Sequence, residues 1–450
     1  MRTSRTAVFA ATLLAVGAAA VGPQSRTSRA QQELGGALFR ETVLANPGAD
    51  FAASCDSCHR LGPDPRGGAD HFYSDGTARS LMPGRGSVVQ ETTLRNTPTL
   101  LDLDHAPRLG LDGRYRSLEE LVRDKLVSPH LGWKETDRTR AVANLHHVLL
   151  DDQETDYRAL YQAAYRVEVE SLTEEQAYDW VVRALTDHLH EILSQRTSRW
   201  DAFADINRIP AAPSAGELPK HYGGRIHGRI GNQEGRVLIK RPLGFGEDAY
   251  EGFKTFFRTE GAANVGNCVA CHVPPAFTDY RFHNLGISQL EHQAVHGKGS
   301  FAKLTIPGPE ADRPVARLLA VPSRDDPERA DLGHWNWVDL AAAPERAAGE
   351  SDADLLRRMA GAFRTPNLRN LPRTGPYMHN GTYATIEDAV RVKIEAARRA
   401  QSGDLPGLDP ELLVIRLGEE DVKPLAAFLH TLDEVGEDEF RELLLHFEEE

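Results

Sequence analysis

The 450-residue chain has four cysteines, and all four fall in two identical frames, Cys55-Asp-Ser-Cys58-His59 and Cys268-Val-Ala-Cys271-His272. Two thiols at i and i+3 stand on one helical turn, spaced to reach the two vinyl groups of a single porphyrin. The imidazole that follows can swing under the iron as its proximal ligand. The frame is the attachment signal of c-type haem. Cys55, Cys58 and His59 are therefore expected to hold one covalent haem, and Cys268, Cys271 and His272 a second, with His59 and His272 on the irons. Paired cysteines also serve as redox dithiols, as zinc ligands or as disulfides. None of these needs a His after both pairs, and a C-x-x-C bridge closes too small a loop to stabilise much.

The residues around the frames repeat. The first half contains Arg95-Asn-Thr-Pro98, Asp112-Gly113-Arg-Tyr115 and Leu118-Glu119-Glu120-Leu-Val122. The second contains Arg364-Thr-Pro366, Asn380-Gly381-Thr-Tyr383 and Ile386-Glu387-Asp388-Ala-Val390. From Pro98 and Pro366 onward a constant offset of 268 links them and ends by pairing Lys125 with Lys393. Each haem frame precedes its copy of the block, which predicts two tandem cytochrome c-like domains related by internal duplication. Pro366 follows His272 by 94 residues, whereas Pro98 follows His59 by 39. The second copy thus carries an insertion at about 300–355, which includes Trp335-Asn-Trp337.

The elements that must position these groups read as helices. Each block is a Pro/Gly/Asx turn entering an apolar stripe, as at Leu118, Leu121 and Val122. Asp137–Tyr165 is amphipathic, with Val142, Leu145, Val148 and Leu149, and Thr173–Phe203 opens on the capping-box pattern Thr-Glu-Glu-Gln176. The expected fold is mainly α, with long loops. Its expected division is a signal peptide at 1–30, an N-terminal domain at 31–204, a Pro- and Gly-rich linker at 205–240, a C-terminal domain at 241–435 and an acidic, solvated tail at 436–450.

Composition is that of a globular chain, 40% hydrophobic and 26% charged. Arg2 and Arg5 precede an apolar run from Ala7 to Val21, with a plausible cleavage point before Gln31, the pattern of export to the periplasm. A retained membrane anchor is the alternative, although the run is short for a span. Residues 1–30 hold four Arg and no acid, so their removal leaves 48 basic and 66 acidic residues, a net charge of −18. Such a balance disfavours nucleic acid and suits a basic protein partner.

From Gly35-Gly-Ala-Leu-Phe39 to about Leu432, the chain resembles the bacterial diheme cytochrome c peroxidases and the MauG-type diheme enzymes. The segments that carry the resemblance are the two haem frames, Arg95-Asn-Thr-Pro-Thr-Leu100, Asp112-Gly-Arg114, Phe277 to Gly286, Phe363 to Asn370 and Gly375-Pro-Tyr-Met-His-Asn-Gly381. The resemblance implies two facing helical domains, with peroxide reduced at the N-terminal haem and electrons passed by the C-terminal one. It implies a small electron-donor protein, of cytochrome c or cupredoxin type, and admits a homodimer. It also implies a calcium ion between the domains, held partly by backbone carbonyls of a Thr-x-Pro segment that matches Thr374 and Pro376. His283 and Asn284 take a packing or propionate-contact role.

The chain departs from the family at the first haem. The family's Trp between the haems falls at Leu111, its distal Gln at Leu121 and its distal Glu at Leu131. His130 stands beside that gap as a substitute base, or as a surface His. His71 could close the sixth position of the first haem, or face solvent. The distal ligand of the family's second haem, Met or Tyr, lies 17 residues after the Pro of Thr-x-Pro, which is Lys393 here. Met378 or water is the alternative. The expected activity is that of a periplasmic peroxidase-like oxidoreductase, weakened by the missing Gln and Glu. A MauG-like oxidant of a partner protein or organic substrate, and a diheme electron carrier without turnover, are the alternatives.

Overall fold

The computed structural model describes residues 27–49, 53–63, 70–74, 94–152, 154–230, 239–405 and 407–449. The described chain is mainly helical, as expected, with a few short antiparallel strand pairs. Among the described residues no helix is long and apolar enough to cross a bilayer.

The N-terminal core is built from the helices Arg29–Arg40, Leu118–Leu126, Arg138–Asp151, Tyr157–Tyr165 and Glu174–Leu189. The stretch Asp137–Tyr165 is two helices rather than one, with Val142, Leu145 and Val148 facing the core. Thr173 caps the next helix through the capping box with Gln176. The first helix begins at Arg29, where the hydroxyl of Ser28 accepts from the amide of Gln31, and Thr27 donates to Glu191. The proposed cleavage point before Gln31 would remove both contacts.

The C-terminal core gathers around Trp200. Its ring meets Phe253, Phe257, Phe277 and Phe428 at centroid distances of 5.6, 5.4, 5.8 and 5.5 Å. The helices Glu247–Phe257 and Val422–His430 pack closely because Gly252 lacks a side chain. A Cβ there would lie 1.9 Å from the carbonyl oxygen of Pro424.

Several expected boundaries shift. Trp200 and Phe203, placed with the N-terminal domain, belong to the C-terminal core. The segment 205–240, expected as a linker, contains the helix Pro219–Ile230, whose Tyr222, Ile226 and Ile230 are buried in that core. The tail expected to be solvated instead folds back. Leu443 of the helix Glu437–Leu445 packs with Ala202 and Val435, and the strand Phe447–Glu449 pairs with Lys240–Pro242. The insertion has its own core, with Leu318, Leu332, Trp335, Leu355 and Met359 at its centre.

The backbone repeats its local conformations at the offset of 268. Asp102 and Asn370 are both left-handed, as are Gly110 and Met378, and Gly113 and Gly381. The bridges Leu109–Tyr115 and Tyr377–Tyr383 stand at the same spacing. Ser117 and Thr385 then cap the helices Leu118–Leu126 and Ile386–Ser402, each accepting from an amide three residues on at 3.1 Å.

Candidate functional site

Each Cys-x-x-Cys-His frame is wound into a single helical turn. The amide of the His bonds back to the carbonyl of the first Cys in both, His59 to Cys55 and His272 to Cys268. This puts both thiols on one side of the turn and sends the imidazole out from its end.

The second frame opens on a cavity of about 280 Å³ lined by Cys268, Cys271, His272, Met378 and Lys393, with apolar walls that include Leu368 and Val390. His272 holds its Nδ1 2.9 Å from the carbonyl oxygen of Phe277. A carbonyl only accepts, so Nδ1 carries the proton and Nε2 keeps its lone pair. Burial lowers the pKa of His272 to about 4, so the ring is neutral at physiological pH. A neutral imidazole, fixed by its outer nitrogen beside two thiols and an apolar-walled cavity, fits an iron porphyrin. Burial also pushes the Cys268 thiol up to about 12, and Cys271 upward, so this pair is not tuned as a reactive dithiol.

At the first frame, burial and the nearby His130 and Lys125 lower His59 to about 3, and the backbone of Pro98 is its hydrogen-bond partner. Burial pushes the Cys55 thiol up to about 12. His130 is therefore brought within electrostatic reach of His59. Its Nδ1 lies 3.3 Å from the hydroxyl of Ser128, and desolvation followed by Lys125 lowers its pKa to about 4. Lys125 stands 5.5 Å from the Tyr115 ring and 3.7 Å from Asp124, and burial lowers its pKa. The side chain of His71 lies outside the described residues. Of the three Leu positions, Leu131 is buried in the core, Leu121 packs against it half-buried, and Leu111 lines the cavity of the second frame.

Lys393 lines that same cavity, within electrostatic reach of His272, Cys268 and Cys271. Burial lowers its pKa to about 8. Met378 also reaches the cavity, from a left-handed turn, so the structure brings both candidate ligands to one place. Thr374 and Pro376 lie on its rim. His283 is clamped between Asp409 and Asp279 at 2.7 and 3.0 Å and approaches Cys271 at 3.8 Å. Burial opposes its charge, but the two carboxylates outweigh that and raise its pKa to about 12.

Further side chains, quoted in the sequence blocks or insertion without a role of their own, converge here. The side-chain amide of Asn96 donates to the carbonyls of Pro376 and Met378. Arg95 forms a fork on Asp331 of the insertion, with both bonds at 2.7 Å, and pairs with Asp112 at 2.5 Å. Trp337 donates to Asp112 at 2.7 Å, and His334 Nδ1 to its carbonyl. Asn96 and Arg95 belong to the Arg-Asn-Thr-Pro block, which is the one local signal of their role. Arg364 is buried in the cavity wall.

Residues 29–208 match the family model described as di-haem cytochrome c peroxidase. The chain is 25% identical over 418 residues to cytochrome-c peroxidase IdrP2 of Denitromonas iodatirespirans, across 91% of this chain and 83% of that protein. It is 24% identical to methylamine utilization protein MauG of Methylophilus methylotrophus, across 89% and 81%. Among solved structures, the diheme peroxidase BthA of Burkholderia thailandensis E264 shares the fold, with a TM-score of 0.52 at 20% identity over 93% of this chain and 88% of that one. The chain thus matches the di-haem cytochrome c peroxidase family model over its N-terminal part, and over most of its length it is similar to cytochrome-c peroxidase and MauG proteins.

Proposed function

We propose that the protein is an exported, periplasmic oxidoreductase that carries two covalent c haems and reduces peroxide with electrons from a small redox protein. The observation that carries this reading is the pair of frames. Each presents two thiols and a neutral, backbone-anchored imidazole on one turn. Bound haems would supply the redox chemistry; His272 would hold the one at which electrons enter and His59 the one that meets peroxide, as the resemblance implies. The repeated turns and caps at offset 268 support an internal duplication.

The chain's own residues set the limits of the reaction. Peroxide cleavage calls for a group that takes one proton and returns it to the leaving oxygen. Leu121 and Leu131 cannot do so. Near His59, His130 is neutral at physiological pH and can accept a proton. The same gap favours a second reading, in which oxidising equivalents pass to a partner protein or organic substrate.

A calcium ion at Thr374–Pro376 is part of the proposal. The Oδ1 of Asn96 is buried without a hydrogen-bond partner, while its Nδ2 faces two carbonyls. Turning the amide over would add Oδ1 to the carbonyls of Pro376 and Met378, an all-oxygen set suited to a hard cation.

The test is direct. A pyridine haemochrome assay and denatured mass should give two haems per chain. The reduced protein should be reoxidised by stoichiometric peroxide and should turn over with a reduced cytochrome c or cupredoxin. Reduced haems that ignore peroxide would leave the protein an electron carrier. Zinc or a single haem would overturn the reading altogether.

A further inference from the structure

Arg364 is buried, at 7% exposure, in the wall of the cavity at the second frame. Its backbone is fixed from two sides. It pairs with Phe282 in the strand Ala362–Arg364, and its amide donates to the carbonyl of Leu111 at 2.8 Å. From this fixed backbone Arg364 lines the cavity.

Three other guanidinium groups in the interior are matched by acids, while that of Arg313 lies over the Trp335 ring. Arg95 has Asp112 and Asp331, Arg369 has Asp201, and Arg373 has Asp433. Arg364 makes no ion pair among the described residues, and its Nε has no hydrogen-bond partner. Tyr280 is the neighbour that shares its field, and the Tyr280 hydroxyl is spent on the carbonyl of Asp102 at 3.0 Å. The carboxylate of Asp102 is itself taken by Ser194 and Asn367. Removing a charge from water costs several kcal/mol unless an opposite charge meets it. A fork of donors at the wall of an apolar cavity matches a carboxylate above other anions of that size, because the planar guanidinium bonds it at two points.

We infer that Arg364 is the counter-cation for a carboxylate borne by the occupant of this cavity, namely a propionate of the haem attached at Cys268 and Cys271. This rests on the diheme reading above. Arg364 is then a positioning residue for the second haem. It also sets that haem's potential, because a buried cation disfavours the more positive ferric state.

The experiment is spectroelectrochemistry on the intact holoprotein, preceded by a haem count on the wild type. A wild type without the second haem overturns this inference together with the diheme reading. With two haems present, Arg364→Gln should shift the ferric–ferrous equilibrium of one haem at least tenfold toward ferric. That is a fall of about 59 mV for a one-electron couple. The other haem should not move. A shift below twofold in a two-haem variant overturns the inference while leaving the diheme reading intact. Should Arg364→Gln not retain both haems, Arg364→Lys decides through resonance Raman. Loss of the fork should move the propionate-bending band, and an unmoved band overturns the inference.

Discussion

Replacing Lys393 tests the most specific feature of the second site. An amine binds iron only when neutral, and an ordinary Lys, with its pKa of 10.5, is neutral in about 3 molecules in 10⁴ at pH 7. Burial brings Lys393 to about 8, which raises that share to about one in ten. At about 1.4 kcal/mol per pKa unit, the cost of shedding the proton at pH 7 falls from about 5 to about 1.4 kcal/mol. The two influences that hold the pKa up are the thiols of Cys271 and Cys268. In the proposed thioether form neither sulfur could carry a charge, so burial would be the influence left on the amine. Since the folded pKa is depressed, ligation is favoured as pH rises and is lost on acidification. The assay is EPR of the ferric protein. Lys393→Ala should convert one of two signals from low-spin to high-spin, Lys393→Met should keep it low-spin, and Met378→Ala should leave it alone. Acidification of the wild type should reproduce the Lys393→Ala spectrum. The reverse pattern, loss with Met378→Ala and none with Lys393→Ala, would refute both the register from Pro376 and the electrostatic argument.

Turnover of peroxide should be slow, because general acid–base help is worth about 10²–10⁴ in rate and Leu121 and Leu131 offer none. What turnover exists should fall in His130→Ala, with an acid limb in its pH profile near 4, where His130 becomes protonated; an unchanged rate removes His130 from the reaction. Gly113→Ala should destabilise the fold by more than about 1 kcal/mol in urea melts, because Gly113 sits at φ +75° and a Cβ would lie 2.4 Å from Phe282; a neutral result would show that the Phe282 ring, stacked on His334 at 3.7 Å between centroids, can move aside. Intact mass should place the mature N-terminus at or before Thr27, since cleavage before Gln31 would lose the Ser28 cap, worth about 1 kcal/mol, and the Thr27–Glu191 bonds. A start at Gln31 would show those contacts to be dispensable.

The groups that would hold iron were legible because their chemistry is local. Two thiols and an imidazole must share one turn, so Cys55 to His59 and Cys268 to His272 declare themselves in five residues each. The block offset was legible for a similar reason. Left-handed turns at Gly113 and Gly381, and caps at Ser117 and Thr385, demand particular residue types at fixed places. The segment 205–240 misled because its Pro and Gly content outweighed its period. Pro219 stands at the first position of the helix, and Tyr222, Ile226 and Ile230 recur every four residues. In the tail, the run of acids masked Leu443, the one apolar side chain of its helix that is fully covered.

What sets the properties of a bound haem is distributed differently from what binds it. Arg95 meets Asp331 across 236 residues of chain, and His334 meets Asp112 across 222. Arg364 is locked to Leu111, and Asn96 to Pro376, by contacts that no short motif contains. Through them, the insertion and the two halves converge on the loop at Leu111–Gly113. There the backbone is held fast although the side chain at position 111 is apolar. A substitution inside a Cys-x-x-Cys-His frame should therefore remove a haem. A substitution in this long-range network should leave both haems attached while changing potential, spin state or rate. In the proposed reading, iron occupancy would follow from the ten residues of the two frames, and reactivity from charges that only the folded chain brings together.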